Sequence, residues 1–123
     1  MKKTNRILII DDTEDILEAL ELVLSNEGYT IDLATKEDYI DGIFSGQNPL
    51  PDLVMLDVLL SGQDGRMIAR KIKDNSITQH IPIIMMSAHP DVEKTIKKSG
   101  ADDFLNKPFE MHDLLSKVHK YIK

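Results

Sequence analysis

The chain has 123 residues, of which 41% are hydrophobic and 29% charged, and its formal net charge is −6. These values are typical of one globular domain, residues 1–123, and the negative balance argues against a direct nucleic-acid partner. The lack of cysteine excludes disulfides, thiolate catalysis and cysteine-based zinc sites. No apolar run approaches the ~20 residues of a membrane span, so we expect a cytoplasmic protein without membrane contact.

Five short apolar segments are typical of buried strands, and they alternate with segments of helical periodicity. The strands are predicted at residues 7–10, 29–34, 53–57, 83–86 and 103–106. The first helix is predicted to begin at Glu14, with Thr13 as its N-cap, and to end at Gly28. The other four helices are predicted at about 36–45, from Asp64 or Gly65 onward, at about 91–99 and at about 111–122. In the third helix we expect Met67, Ile68 and Ile72 to face inward.

The fivefold alternation of strand and helix predicts an α/β fold, a parallel sheet with helices on both faces. In such a sheet the carboxyl ends of the strands share one edge, and ligands bind there. Polar and charged residues collect at the ends of four predicted strands, while the strand interiors are apolar. They are Asp11, Asp12, Asp57, Ser87 and Lys107.

Asp11, Asp12 and Asp57 would place three carboxylates in one cleft. Singly, each has a simpler interpretation as a helix cap or a turn residue. Together they repel one another strongly and need a cation. Hard oxygen ligands with room for water suit Mg²⁺, which is typically held by one or two carboxylates.

Lys107 and Ser87 add a positive charge and a hydroxyl donor to the same edge. A cation, an ammonium group and a hydroxyl around one carboxylate form a place where a phosphoryl group can be held. Aspartate is an established nucleophile for phosphoryl groups, and their transfer depends on positioning and charge neutralisation.

The ordered set of motifs resembles the receiver domain of two-component response regulators, in particular the stand-alone chemotaxis type. The resemblance covers essentially the whole chain. It implies the flavodoxin-like (βα)5 sandwich with strand order 2-1-3-4-5. The motifs that carry it are Asp11-Asp12, Asp57, residues 62–65, Ser87-Ala88, residues 100–104 and Lys107-Pro108-Phe109.

The resemblance implies that Asp57 accepts a phosphoryl group from a histidine kinase or a histidine phosphotransfer protein. It further implies that Asp12 and Asp57, with the backbone carbonyl of Leu59, ligate Mg²⁺ directly. Asp11 is then expected to act through metal-bound water. Such a protein is a signalling switch whose only catalysis is its own phosphorylation and dephosphorylation, so it is not a metabolic enzyme.

Further roles follow from the same resemblance. Lys107 is expected to pair with a phosphoryl oxygen, and Ser87 to move and bond another. Phe104 matches the family's switch aromatic, although tyrosine is more usual there. Ser61 stands where the family usually has proline. The output partner is unknown, and its surface is expected around the helix at 91–99, the strand at 103–106 and the last helix.

Three alternatives stay open at the level of sequence. A phosphatase of the haloacid dehalogenase type also uses a strand-end aspartate, but the step from Asp11 to Thr13 fails its Asp-x-Asp pattern. A degenerate receiver could serve only as a binding scaffold. The chain could also be one part of a longer regulator with a DNA-binding output domain.

Overall fold

A computed structural model describes residues 5–36, 38–60, 62–89 and 93–122. Strands and helices alternate along the chain, with one short hairpin inserted after the third strand. The elements in order are β1 Arg6–Ile10, α1 Glu14–Asn26, β2 Thr30–Ala34, α2 Asp38–Phe44, β3 Leu53–Asp57, β4 Leu59–Leu60, β5 Gln63–Asp64, α3 Gly65–Lys73, β6 Ile83–Ser87, α4 Glu93–Lys98, β7 Asp103–Asn106 and α5 Met111–Tyr121.

The main sheet has five parallel strands in the order β2-β1-β3-β6-β7. Counted without the hairpin strands β4 and β5, this is the order 2-1-3-4-5, which confirms the flavodoxin-like prediction. The strands β1, β3 and β6 lie in the middle, where both faces are covered, and every residue of β3 and β6 is buried. Burial on both faces explains why these strands are continuous apolar runs rather than alternating ones.

Two apolar cores lie on opposite faces of the sheet, because successive strand residues point to opposite sides. Ile7 and Ile9 of β1 enter one core with side chains of α1 and α5. Leu8 and Ile10 enter the other with side chains of α2, α3 and α4. The helices therefore flank the sheet on both faces, as the alternation of elements predicts.

Met67 contradicts the prediction for the third helix. Its side chain is 72% exposed, whereas Ile68, Ala69 and Ile72 are buried. The inward stripe of α3 is centred on these three residues, and Met67 lies about 100° around the helix from Ile68. An apolar residue beside the stripe cannot be distinguished from one within it by type alone.

Other differences lie at element boundaries. The second strand begins at Thr30 rather than at residue 29, and the antiparallel pair β4–β5 was not predicted. Helix α1 begins after Thr13 as predicted, but no side-chain hydrogen bond from Thr13 caps it. Ser61 and the start of the fourth helix at residue 91 lie outside the described residues. No helix in the described segments is both long and apolar enough to cross a bilayer.

Candidate functional site

The carboxylates of Asp11, Asp12 and Asp57 come together at the carboxyl edge of the sheet. Asp11 follows β1 and Asp57 ends β3, and the two strands are neighbours paired through Ile10 and Leu56. One oxygen from each carboxylate lies within 4.8 Å of the other two. The strand ends thus bring together three acidic residues that are up to 46 positions apart in sequence.

Lys107 joins two of these carboxylates. Its ammonium nitrogen lies 2.7 Å from Asp11 Oδ2 and 3.3 Å from Asp57 Oδ1. The lysine side chain is itself mostly buried, and the Lys107 N–H donates to the carbonyl of Ser87 at 2.8 Å. A cis peptide bond links Lys107 to Pro108. The buried charges of Asp11 and Asp57 are therefore partly balanced by one cation held between them.

The environment of Asp57 favours its neutral form. Burial raises the pKa of Asp57, and the negative charge of Asp11 raises it further. Lys107 and a backbone hydrogen bond from Leu59 act in the opposite direction without cancelling the increase in pKa. Additional positive charge beside Asp57 would therefore lower its pKa and favour the carboxylate form that is predicted to react.

Asp11 already uses both of its carboxylate oxygens. Oδ1 accepts a hydrogen bond from the Thr13 N–H at 2.9 Å, and Oδ2 accepts one from Lys107. Asp11 has no exposed surface, whereas Asp12 is exposed. This arrangement favours a contact of Asp11 with a cation through water, and it leaves Asp12 accessible from the cleft.

The donor set fits a small hard cation. Three carboxylate oxygens within 4.8 Å of one another are close to the ~4 Å that separates opposite ligands in an octahedral Mg²⁺ site. All three residues offer oxygen, and no cysteine is present to favour a softer metal. The exposed position of Asp12 leaves room for the waters that Mg²⁺ retains.

Ser87 ends β6 and pairs with Asn106, the last residue of β7, which Lys107 follows. Its hydroxyl oxygen accepts a hydrogen bond from the His89 N–H at 3.0 Å, and the side chain is almost fully buried. The imidazole of His89 is exposed. Ser87 therefore forms a local turn at the site edge in this structure, with its hydroxyl engaged by the backbone two residues on.

Phe104 is partly exposed and lies between core and surface. It packs against the core cluster on the α3 and α4 side of the sheet. It also lines a groove of about 420 Å³ between α4, β7 and α5, together with Ile96, Lys97 and Lys117. Such a position permits a change in side-chain burial, as a switch residue requires.

The loop after Asp57 contains contacts that we did not predict. Asp64 caps α3 by accepting from the Arg66 N–H at 2.9 Å, and the Arg66 guanidinium also binds this carboxylate. A Cβ atom on Gly65 would overlap the carbonyl oxygen of Asp57. The Asp-Gly pair indicated a helix start, but the contact between Gly65 and the backbone of Asp57 depends on the hairpin.

A comparison with protein-family models shows the family to which this chain belongs. The sequence model described as "Response regulator receiver domain" matches residues 7–119. The chain belongs to the response regulator receiver family. This family consists of signalling domains of two-component systems rather than of metabolic enzymes, and the match gives no support to the dehalogenase-type alternative.

Curated relatives of this receiver domain are longer response regulators. Response regulator PleD of Caulobacter vibrioides is 36% identical over 115 residues, which are 92% of this chain and 25% of that protein. The phosphate regulon transcriptional regulatory protein PhoB of Escherichia coli is 32% identical, over 92% of this chain and 49% of that protein. The chain thus spans between a quarter and a half of the length of these relatives.

Solved structures show the same fold. A two-component response regulator from Clostridium difficile has a TM-score of 0.83 and 34% identity, over 97% of this chain and 96% of that one. The receiver domain of sensor histidine kinase PA1611 from Pseudomonas aeruginosa, solved with a magnesium ion in its active site cleft, has a TM-score of 0.82. Its identity is 24%, over 98% of both chains, so this second likeness concerns the fold alone.

Proposed function

We propose that this receiver domain accepts a phosphoryl group on Asp57 from a histidine kinase or a histidine phosphotransfer protein, and that it regulates an output partner through the resulting conformational change. The observation that carries the proposal is the Asp57 carboxylate at the end of a central strand, 3.3 Å from Lys107 and within a cluster of three acidic residues.

In the proposed reaction a carboxylate oxygen of Asp57 attacks the phosphorus of a phosphohistidine. An O–P bond forms, the N–P bond breaks, and the imidazole leaves with the electron pair and is protonated. Lys107 is close enough to neutralise an oxygen of the transferred group, and the hydroxyl of Ser87 would donate to another after leaving its contact with His89. Positioning and charge neutralisation are the main contributions of a protein to phosphoryl transfer.

We assign the metal site to Asp12, Asp57 and the backbone carbonyl of Leu59, with Asp11 acting through water. When bound, Mg²⁺ would neutralise negative charge on the carboxylates and the phosphoryl oxygens. The raised pKa of Asp57 and the two protein hydrogen bonds on Asp11 support this division of roles.

A protein phosphodonor has a suitable surface beside the site. An apolar groove of about 570 Å³ runs between α1 and α5, and Lys107 and Ala88 form its end next to the carboxylates. Ile16 of α1 and Met111 of α5 line it, and Met111 is well exposed. Exposed apolar patches of this kind are typical of surfaces that contact another protein.

The switch is assigned to Ser87 and Phe104, and the output surface to the groove between α4, β7 and α5. Phe104 supports this assignment because it contacts the core and lines the groove. We propose a cytoplasmic protein in which residues 1–123 form one receiver unit. The output is carried either by a separate protein or by a segment joined to this domain.

The first test is phosphorylation with acetyl phosphate and Mg²⁺. Intact-protein mass spectrometry is expected to show the addition of one phosphoryl group. Asp57→Asn should abolish this addition, whereas Asp113→Asn, which removes an exposed carboxylate on α5, should leave it unchanged. Labelling of Asp57→Asn to the wild-type extent would overturn the assignment, and a wild-type chain that is never labelled would favour the degenerate-scaffold alternative.

The second test is Mg²⁺ binding without a phosphodonor. Asp12→Asn is expected to weaken binding and leave the fold intact, because it removes one oxygen charge from the cluster. It also relieves repulsion among the carboxylates, so the metal-free variant should be at least as stable as the wild type. NMR titration measures the affinity, and equal affinities would exclude direct ligation by Asp12.

A further inference from the structure

Arg66 binds two elements at once. Its Nε donates to Asp64 Oδ1 at 2.9 Å and its Nη2 donates to Asp64 Oδ2 at 2.7 Å, which forms a bidentate pair. Its Nη1 donates to the hydroxyl oxygen of Thr95 in α4 at 2.8 Å. The planar guanidinium supplies these donors in one rigid group, which a lysine cannot do.

Asp64 is connected to the backbone around Asp57 through the β4–β5 hairpin and through Gly65. It ends strand β5 and pairs with Leu59 across the β4–β5 hairpin. The next residue, Gly65, donates its N–H to the carbonyl of Val58 at 2.7 Å and lies against the carbonyl of Asp57. A displacement of the segment that follows Asp57 therefore displaces the Asp64 carboxylate.

Thr95 connects Arg66 to the part of α4 that borders the core and the groove. It lies next to Ile96, which is buried in the core, and two residues before Lys97, which lines the groove with Phe104. In the described residues helix α4 spans Glu93–Lys98, and the hydrogen bond from Arg66 to Thr95 is one of its links to α3. A change in that bond would therefore affect the α4 residues that line the groove.

We propose that Arg66 is a positioning residue that couples the loop after Asp57 to helix α4, through its paired contacts with Asp64 and Thr95. The inference rests on the proposed function, in which occupation of the site by metal and phosphoryl group draws on the Leu59 carbonyl of that loop. The Arg66 connection is separate from the one through Ser87 and Phe104, since it runs through α3 and the hairpin.

Arg70 provides a matched control. It lies one turn further along α3 and also reaches α4, because its Nη2 donates to the carbonyl of Lys98 at 3.2 Å. Within the described residues it forms no ion pair with Asp64 or with another carboxylate. Arg70→Leu therefore loosens the packing of α3 on α4 and leaves the connection to the hairpin intact.

The first experiment needs no metal. Amide hydrogen exchange of the β4 and β5 residues is measured in the wild type, Thr95→Val, Thr95→Ser and Arg70→Leu. Thr95→Val is expected to increase exchange in the hairpin about threefold to fivefold, in line with the loss of one exposed hydrogen bond. Thr95→Ser should restore protection because it keeps the hydroxyl, and Arg70→Leu should match the wild type.

The second experiment follows backbone NMR shifts on addition of Mg²⁺ and beryllofluoride. In Thr95→Val and Arg66→Lys, the shifts of α4 amides are expected to fall to less than half of the wild-type shifts. Shifts at residues next to Asp57 should persist, and Arg70→Leu should behave as the wild type. A local structural role for Arg66 would change stability but would not separate the response at α4 from the response at the site.

The outcomes of the two experiments distinguish an error in the proposed function from an error in the role assigned to Arg66. If the wild type does not respond to Mg²⁺ and beryllofluoride at all, the proposed function is wrong, and the metal-free exchange still decides whether the hairpin and α4 are coupled. If hairpin exchange in Thr95→Val equals that of the wild type, or if Arg70→Leu has the same effect as Thr95→Val, the role of Arg66 is overturned.

Discussion

Lys107 lies between two buried carboxylates. Its ammonium nitrogen lies 2.7 Å from Asp11 Oδ2 and 3.3 Å from Asp57 Oδ1. It therefore lies close to the oxygens that would hold a cation and to the position of a phosphoryl group on Asp57. The lysine therefore has two physical effects. It stabilises the metal-free fold by balancing buried charge, and it competes electrostatically with a cation for the same oxygens.

Lys107→Ala separates these two effects. Without Mg²⁺, the free energy of unfolding should fall by about 3 kcal/mol, because removal of one member of a buried pair leaves a buried charge uncompensated. Mg²⁺ affinity should be retained or increase, since a competing cation is lost. Urea unfolding and Mg²⁺ titration measure the two quantities, with the exposed Lys36→Ala as the control. Weaker Mg²⁺ binding in Lys107→Ala would show that the lysine supports the metal site instead.

Leu59 is 55% exposed and lies two residues beyond Asp57. In the proposed function we expect its side chain to lie beside the path by which water reaches the phosphorus for hydrolysis. An apolar side chain can occupy space there but cannot orient water through a hydrogen bond. We expect Leu59→Asn to shorten the lifetime of the phosphorylated form about fivefold, if one oriented water lowers the barrier by about 1 kcal/mol.

The lifetime is measured by mass spectrometry after removal of the phosphodonor. Leu50→Asn, at a leucine of similar exposure in the loop before β3, serves as the control and should decay as the wild type does. An unchanged or longer lifetime in Leu59→Asn would mean that Leu59 does not control the path of water. The exposed His89, two residues past Ser87, would then be the next candidate.

At the scale of elements, the β4–β5 hairpin and the first turn of α3 form one unit beneath Asp57. Antiparallel pairing of Leu59 with Asp64 closes the hairpin, and the Asp64 carboxylate caps α3. Two glycines in this unit have different reasons for being glycine. Gly62 has a positive φ of 75° with open space around it, whereas Gly65 lies against the backbone of Asp57.

The two glycines predict different consequences of adding a methyl group. Gly62→Ala should lower the free energy of unfolding by about 1 kcal/mol, the cost of a left-handed conformation for alanine. Gly65→Ala should cost about 2–3 kcal/mol, because a backbone atom cannot give way as a flexible side chain can. Only Gly65→Ala should also weaken Mg²⁺ binding. Equal effects of the two variants on Mg²⁺ affinity would contradict the close approach at Gly65.

At the scale of the whole molecule, hydrogen bonds and an ion pair at Asp103 join the last helix, α5, to the edge strand β7. Asp103 accepts hydrogen bonds from Lys117 at 2.8 Å and from the Tyr121 hydroxyl at 2.9 Å. Burial alone would raise the pKa of Asp103, but hydrogen bonds from Lys117, the Phe104 N–H and Tyr121 outweigh it and lower the pKa to about 2. Burial and the bond to Asp103 raise the pKa of Tyr121 to about 12.

This cluster predicts how global stability depends on pH. Between about pH 4 and pH 2 the unfolded chain binds a proton at Asp103 more readily than the folded chain does, so this contribution to stability is lost as the pH falls through that window. Above about pH 10 the unfolded Tyr121 ionises first, and stability falls as the pH rises.

Asp103→Asn tests the acidic side of this dependence. At pH 7 the variant should be about 1–2 kcal/mol less stable than the wild type, after allowance for solvent screening. The difference should shrink as the pH falls towards 2, because the wild-type carboxylate is increasingly protonated as the pH approaches its pKa of about 2. Urea unfolding across this range measures it, with Asp113→Asn as the control for loss of a charge on α5. A difference that stays constant with pH would exclude Asp103 as the group that titrates.

The sequence by itself determined the five strands of the main sheet, the five helices and the edge at which polar residues meet, but not the β4–β5 hairpin. A continuous apolar run such as residues 53–56 is a local signal of a strand buried on both faces, and the residue after it must lie at the sheet edge. Parallel strands align their carboxyl ends, so the proximity of Asp11, Asp12 and Asp57 follows from their positions at strand ends. The strand order came from the family resemblance, because periodicity does not reveal which strands are neighbours.

Only the tertiary structure decided which side chains touch. Nothing in the spacing indicates that Arg66 reaches Thr95, 29 positions away, or that Lys107 reaches Asp11, 96 positions away. Such contacts depend on the relative placement of α3, α4 and the strand ends, which packing of the two cores sets. The error at Met67 has the same origin, because helical periodicity marks an apolar stripe only approximately and the facing core selects the side chains at its centre.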